Sequence, residues 1–377
     1  MTIISWVVFF FIVLYAYLIF QIQTAWSTQN TDSTLPEELP FVSIIIAARN
    51  EEDNISKCLD SLDQSDYPSE RFEVIVIDDM STDQTTQVVQ SHSGKNIKLL
   101  NLKDATKQGS KKQALAYAAE VANGEIWMYT DADCIVSPKW ISKCVSTFSQ
   151  KEHIKVILGP VSHDGNLSNY ISIWQQLDLM GMMAVTNAGV TRHLYYIGNG
   201  ANLSIRANLW DAIGYAVDTP HRFASGDDVT LVQKAADRDK ESVYYLLDQK
   251  YIVNTEVQPD FTSLLRQRLR WTSKNSLQSS TSQRVVMSSI FLLCFLTLIM
   301  GFLSLINWHY CFLFLFLMGS KALIDTIYLS KIQAFFKTKI SWFWMIILSP
   351  LHTLYVAVFG LLAIIPQRYS WKGRFVN

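Results

Sequence analysis

The chain is poor in charge. Only 17% of its 377 residues are Asp, Glu, Lys or Arg, and they sum to a formal net charge of −1. Nucleic-acid binding depends on a surplus of Lys and Arg to meet phosphates, so no nucleic-acid partner is expected. Cysteine is sparse too: Cys58, Cys134, Cys144, Cys294 and Cys311 form no CxxC pair and no Cys/His metal spacing. They read as buried free thiols in a reducing compartment, which excludes a disulfide framework. Neither GxGxxG nor GxxxxGK(S/T) occurs, so a dinucleotide fold and a P-loop have no support. No Lys or Arg precedes Arg49. Residues 3–20, IISWVVFFFIVLYAYLIF, thus lack the positive leader and the cleavage site of a secretory signal. They read as a retained anchor, long enough to span a bilayer.

Apolar residues, in contrast, make up 49% of the chain. That is too apolar for an ordinary soluble protein, while the charge present is too much for a pure membrane bundle, so both parts are expected in one chain. Three more apolar stretches follow a long polar middle, at about 286–306, 310–329 and 342–366. The link Asn307–Tyr310 carries no acid and no Lys or Arg, and suggests a tight hairpin. Arg266, Arg268, Arg270 and Lys274 precede the first stretch, and Lys331, Lys337 and Lys339 separate the last two. The positive-inside rule puts both basic segments, and the polar middle with them, in the cytoplasm. The sequons at Asn54, Asn166 and Asn202 then carry no meaning. Arg368, Lys372 and Arg374 fit this topology badly, and Pro350 leaves a re-entrant or interfacial last segment open. The expected organisation is an anchor at 1–23, a cytoplasmic domain with interfacial helices at 24–285, and a membrane region of about three segments at 286–377.

Within the polar middle, strand-like and helix-like patterns alternate. VSIIIAA (42–48) is a continuous β-rich apolar run and NEEDNISKCLDSL follows at helical spacing with acids in its first turn. FEVIVIDD (72–79), IKLLNL (97–102) and EIWMYTD (125–131) repeat the theme, each before a helical pattern. Such alternation predicts an α/β fold with a doubly wound parallel sheet, and ligands in such sheets bind at the carboxyl ends of the strands. Those ends are acidic here. The first stops at Arg49, Asn50 and Glu51, the second at Asp78 and Asp79, the fourth at Asp131, Ala132 and Asp133. On a strand, residues i and i+2 share a face, so Asp131 and Asp133 would repel unless a cation sat between them. A single acidic strand end reads as a helix cap or a solvated loop; several on one rim point to a ligand.

The pieces VSIIIAARNEE, VIVIDDMSTD, KKQAL, TDAD, NGANLSIR, SGDDVTLV and QRLRW, in this order from Val42 to Trp271, resemble the family-2 glycosyltransferases. Any one of them is weak; the ordered set, flanked by membrane segments, is specific. The resemblance implies a GT-A nucleotide-sugar-binding domain carrying N-terminal and C-terminal transmembrane helices. It implies that Ala47, Arg49, Glu51 and Asp79 bind the nucleotide, with Glu51 and Asp79 on uracil or ribose and Arg49 near the base. Lys111 would face the nucleotide side, or else a solvated helix face. Asp131 and Asp133 would bind Mg²⁺ or Mn²⁺ bridging the diphosphate, since hard oxygen ligands suit both ions. Gln267, Arg270 and Trp271 form QxxRW, which in the family closes over the diphosphate and acceptor end; a basic, Trp-anchored interfacial helix is the plainer alternative. Asn199, Gly200 and Asn202 would line the acceptor side. The pair Asp227 and Asp228 departs from the Glu-Asp usual in the family. By register Asp228 is the base, and the alternative is two acids complementing a helix dipole.

These implications add up to a membrane-bound, inverting, metal-dependent glycosyltransferase at the cytoplasmic face of the cell (inner) membrane, multi-pass. A nucleotide sugar, UDP-linked by preference, would donate to a lipid or glycan acceptor. A processive polysaccharide synthase that also extrudes its product is the alternative, and about four membrane segments make a narrow frame for a channel. A receptor or transporter with a degenerate transferase domain should carry a polar pathway through its membrane part, where Lys321 and Asp325, at i and i+4, stand out. Residues 168–187, with Trp174, Met180, Met182 and Met183, read as core packing or as a membrane-surface helix guiding a lipid or glycan.

Overall fold

The computed structural model describes residues 2–27, 34–94, 96–102, 111–164, 167, 169–213, 227–274, 280–363, 369–371 and 374–376. The chain divides into two compact units: 28–164 with 196–256 and 370–377, and 1–27 with 165–195 and 257–369.

In the first unit, β1 (Val42–Ala48), β2 (Phe72–Asp78), β3 (Ile97–Asn101) and β4 (Ile126–Asp131) lie parallel in the order β3-β2-β1-β4. Helices α2 (Ile55–Asp63), α3 (Thr85–Ser91) and α4 (Lys111–Val121) lie in the connections. β1 and β2 are buried along almost their whole length, as continuous β-branched runs are when a sheet is covered on both faces. Glu73 is the polar exception inside β2. It accepts from Ser43 Oγ at 2.7 Å and Asn123 N at 2.8 Å, and pairs with Lys98 Nζ at 2.5 Å. The ladder sets Ala48 beside Asp78 and Ala47 beside Asp131, so β1, β2 and β4 end on one rim.

Beyond β4 the sheet is mixed, where the alternating pattern had predicted parallel strands throughout. β8 (Leu203–Arg206) runs antiparallel to β4, β6 (Val156–Leu158) antiparallel to β8, and β9 (Val243–Tyr245) completes the edge. The cause is local. Gly159 and Pro160 divide the run 156–163, and a proline cannot donate to a ladder. The part after them, β7 (Val161–His163), joins β5 (Cys134–Val136) and β10 (Val253–Thr255) in a small second sheet. Helices α5 (Trp140–Gln150), α7 (Ala207–Ala212) and α8 (Asp227–Arg238) complete the unit's described helices. The five cysteines are free thiols, four of them buried.

The second unit is helical: α1 (Thr2–Ala25), α6 (Tyr170–Thr191), α9 (Phe261–Lys274), α10 (Thr281–Ser304), α11 (His309–Phe336) and α12 (Trp342–Leu362). Four of these, over Ile3–Ala25, Thr281–Ser304, His309–Phe336 and Trp342–Leu362, are long and apolar enough to cross a membrane. Pro350 lies inside α12 without ending it. α6 starts in a capping box, with Asn169 Oδ1 accepting from Ser172 N at 2.9 Å and Ser172 Oγ accepting from Asn169 N at 3.2 Å. Trp174, Met180 and Met183 on α6 are buried, while Met182 is exposed. Lys321 and Asp325 pair, Nζ to Oδ2 at 2.5 Å, and Tyr15 donates its hydroxyl to the same carboxylate. His352 Nδ1 lies 3.1 Å from Lys321 Nζ and its Nε2 3.7 Å from Asp178 Oδ1; Asp178 Oδ2 meets Arg268 Nη1 at 2.8 Å.

Candidate active site

The exits of β1 and β2 are tied together by polar contacts at nearly every residue. Arg49 Nη1 donates to the carbonyls of Asp79 at 2.5 Å and Met80 at 3.0 Å. Asn50 N donates to Ser81 Oγ at 3.0 Å, Glu51 N to Thr85 Oγ1 at 2.8 Å, and Thr82 N to Asn50 Oδ1 at 2.8 Å. Glu52 N donates to Asp83 Oδ2 at 3.2 Å, and Gln84 N returns the bond to Glu52 Oε2 at 2.7 Å. These contacts take the amides of Glu51 and Glu52, so α2 starts only at Ile55 and the acids expected in its first turn lie in the turn before it. Asn50 at φ 52° and Met80 at φ 57° are both left-handed, a conformation costly for a side-chain-bearing residue and held here by the interlocked loops. Arg49 and Asp79 are buried beneath this knot, and Glu51 is half-buried.

β4 ends at Asp131. Ala132 and Asp133 form a turn before β5, so the same-face alternation expected of Asp131 and Asp133 on a strand does not operate. Both acids nevertheless act electrostatically on the same two buried thiols. Burial first, and then the charges of Asp133, Asp131 and Glu51, push the Cys58 thiol far above its usual range. Cys134 is raised by burial and by the same two aspartates. Three carboxylates from two strand ends thus act on one buried sulfur, whose S–H donates to the Asp131 carbonyl at 3.7 Å. Among the described residues no three His, Cys, Asp or Glu side chains converge as a metal cage.

On the other side of β4, Asp228 in the first turn of α8 is fixed by backbone donors. Gly200 N reaches its Oδ2 at 2.9 Å and Val229 N its Oδ1 at 3.0 Å. Gly198 lies against the same turn, where a Cβ would come 2.5 Å from the Asp228 carbonyl oxygen and 2.7 Å from Val229 N. Only glycine fits. A small cavity at this point is lined by Ile45, Ala47, Tyr129, Thr130, Gly200 and Asp228, among others. Asn199 is half-buried and accepts from Ala201 N at 3.1 Å. Asn202 is different. Its Nδ2 donates to Pro160 O at 2.9 Å and Tyr251 O at 2.8 Å, its Oδ1 accepts from Trp140 Nε1 at 3.0 Å, and it is fully buried. It braces the loop from within the core and has no surface to offer an acceptor.

The side chains of Lys111 and Asp227 lie outside the described residues, although Lys111 opens α4 and Asp227 opens α8. Gln267, Arg270 and Trp271 all lie on α9, in the helical unit. There the Trp271 ring stacks 4.4 Å from the Arg268 guanidinium, which Trp174 and Tyr355 also flank. The sequence motifs did not single out Gly198, Tyr129, Ser81 or Thr85; of these only Gly198 had a signal, as the first glycine of the run 198–200, GNG.

Residues 43–205 match Glycosyl transferase family 2, and residues 127–364, more than half of the chain, match Glycosyl transferase family group 2. This chain is a family-2 glycosyltransferase. Glycosyltransferase AglE of Haloferax volcanii is 27% identical over 274 residues, which cover 70% of this chain and 82% of that one. Beta-monoglucosyldiacylglycerol synthase of Nostoc sp. is 36% identical over 115 residues, 30% of this chain and 25% of the other. Mannosyltransferase PcManGT from Pyrobaculum calidifontis, solved in complex with GDP-Man and Mn²⁺, superimposes with a TM-score of 0.56 over 97% of this chain and 98% of its own, at 16% identity. That likeness is one of fold: the mixed sheet is of the GT-A kind. In this glycosyltransferase the donor set at the β4 exit suits a hard cation. It consists of carboxylate oxygens, while burial and adjacent negative charge keep both nearby thiols protonated.

Proposed function

We propose that the chain transfers a sugar from a nucleotide sugar, with inversion, to a lipid or glycan hydroxyl at the cytoplasmic face of a membrane. The observation that carries this reading is the common rim. Ala47, Glu51, Asp79, Asp131 and Asp133 come from the adjacent ends of β1, β2 and β4, and Asp228 shares a cavity with β1 and β4. Arg49, Glu51 and Asp79 would take the nucleoside. Mg²⁺ or Mn²⁺ held by Asp131 and Asp133 would orient the diphosphate and offset the charge of the leaving group. Two carboxylates leave most of the coordination shell to diphosphate and water, the usual economy of Mg²⁺ sites.

Inversion requires one in-line displacement. The acceptor hydroxyl attacks the anomeric carbon, its proton passes to a carboxylate, and the nucleotide diphosphate departs with the bonding pair. Asp228 is the carboxylate proposed for the proton. The backbone donors on both its oxygens orient it without removing its remaining lone pairs from use. Asn199 and Gly200 would border the acceptor, and Lys111, Gln267, Arg270 and Trp271 would act on the diphosphate as in the family. α6 and α9 would serve as interfacial helices within residues 24–285. With four candidate spans to frame a channel, single-sugar transfer is favoured over processive synthesis with export. A receptor role is disfavoured because Lys321 and Asp325 pair with each other and with Tyr15 and His352.

The test is release of free nucleotide from UDP- and GDP-sugars by the full-length protein in detergent, with membrane lipid extract added. Turnover that vanishes in EDTA and returns with Mn²⁺ or Mg²⁺ is expected, as is its loss in Asp133→Ala at unchanged thermal unfolding. Full turnover in chelator would remove the metal from the mechanism, and absence of turnover with every donor would favour the receptor.

A further inference from the structure

Among the described residues, two hydroxyl groups on β4 are buried with no hydrogen-bond partner: Tyr129 Oη and Thr130 Oγ1. Tyr129 is 4% exposed and Thr130 2%. Interior polar groups are almost always paired, so an orphaned one marks a missing partner. Both residues line the cavity that Asp228 borders, and its other walls, Ile45, Leu115, Leu203 and Leu231 among them, are aliphatic. The cavity measures about 20 Å³. That admits one water or one hydroxyl group and excludes a sugar ring. A phenol hydroxyl can both donate and accept a hydrogen bond. The register sets Tyr129 beside Ile45 and Leu203, two residues before Asp131 on the same strand.

We propose that this cavity is a hydroxyl-sized subsite, in which Tyr129, on the sheet face it shares with Ile45, Ala47 and Leu203, hydrogen-bonds one hydroxyl of a saccharide held at the Asp228 rim. The subsite rests on the reading of that rim as the reaction centre. It makes Tyr129 a specificity-determining residue. A pocket with a buried donor and no alternative partner discriminates strongly against a ligand lacking the matching hydroxyl, because the protein group is then left unpaired. The hydroxyl can belong to the transferred sugar or to the acceptor, and the two differ in when it is present.

The experiment uses the full-length protein in detergent with UDP-glucose, UDP-N-acetylglucosamine or GDP-mannose, whichever it turns over, and the monodeoxy analogues of that donor. It compares wild type, Tyr129→Phe, Thr130→Val and Asp228→Asn. Tyr129→Phe keeps the ring and the packing, and it should lower kcat/KM about tenfold or more with thermal unfolding unchanged. Where the hydroxyl is the donor's, the penalty should vanish on one deoxy analogue, the signature of a lost pairwise contact. If the penalty persists in donor hydrolysis without acceptor, the hydroxyl is the donor's. If it arises only with acceptor present, the hydroxyl is the acceptor's. Tyr129→Phe within twofold of wild type while Asp228→Asn is inactive would overturn the subsite, leaving a water-filled cavity and an intact reaction centre. An equal loss on every deoxy analogue and acceptor, with lowered thermal stability, would also overturn it and make Tyr129 structural. Turnover unchanged in Asp228→Asn would instead remove the base, and the subsite with it only if Tyr129→Phe is silent too.

Discussion

Asp228 illustrates how much a single residue's role depends on its neighbours. As one of two acids opening a helix, it would only complement the dipole, about 0.3–1 kcal/mol. Gly200 N and Val229 N convert it into an oriented carboxylate, and Gly198 lets the 198–200 loop approach closely enough for that bond to form. Asp228→Asn is expected to retain nucleotide-sugar binding and lose at least about two orders of magnitude in turnover, since a positioned base contributes typically 10²–10⁴-fold. Asp227→Asn should be milder. Binding and single-turnover rates measured on both variants decide: reversed effects assign the base to Asp227, and two silent variants remove the acceptor site from this turn. Gly198→Ala should reproduce much of the Asp228→Asn loss in turnover, because the added methyl displaces the backbone of Asp228 itself.

Single elements are held by buried charges whose partners are far away in sequence. Glu73 joins β2 to β1 through Ser43, to β3 through Lys98 and to the start of β4 through Asn123. Burial alone would raise its carboxyl, but the bonds from Lys98, Asn123 and Ser43 prevail and hold it below its ordinary value of 4.5. A depressed carboxylate contributes stability that is complete above its unfolded value and is lost as pH falls through its folded value. Glu73→Gln is therefore expected to cost about 1–3 kcal/mol at neutral pH, with the difference from wild type shrinking below about pH 4. Denaturant unfolding of the wild type and variant from pH 7 to pH 3 measures it, and a difference that does not change with pH would show that the charge is not what matters. Lys321 and Asp325 are a buried pair of the opposite kind, one turn apart on α11 in the helical unit, with side chains 1% and 11% exposed. Lys321→Met should destabilise by about 3–5 kcal/mol because it strands the aspartate, and adding Asp325→Leu should recover most of the loss. Thermal unfolding in one detergent checks both, and equal stability of the single and double variants would count against a stranded charge.

For the whole molecule, the decisive prediction is topological. The proposed orientation puts residues 34–94 on the cytoplasmic side with the basic segments around Arg266–Arg270 and Lys331–Lys339. In a Cys311→Ser background, a cysteine at Asn307 should react with an impermeant maleimide added outside whole cells, and one at exposed Glu70 should react only after lysis. Outside labelling at Glu70 would overturn the proposed orientation and the donor class together.

Several of these features were readable in the linear chain. The four apolar helices follow from length and hydropathy alone, because a bilayer fixes how many apolar residues a span needs. β1 to β4, each a short apolar run before a helical pattern, follow from local periodicity, and with them the acidic rim. The ordered motifs carried the family. Other features were decided only by the tertiary structure, because they depend on contacts between residues distant in sequence. Nothing local indicates that β8 turns antiparallel against β4, or that Pro160 sends β6 and β7 to different sheets. Asn202 and Asn199 look alike three positions apart, yet one is sealed in the core by Trp140, Pro160 and Tyr251 and the other is half-buried beside Gly200. Asp131 and Asp133 act on one sulfur through a turn where strand alternation had been expected, and the hydroxyls of Tyr129 and Thr130, buried with no partner among the described residues, are placed so only by folding. Periodicity encodes which face of an element is buried; what that face meets is a property of the assembled fold.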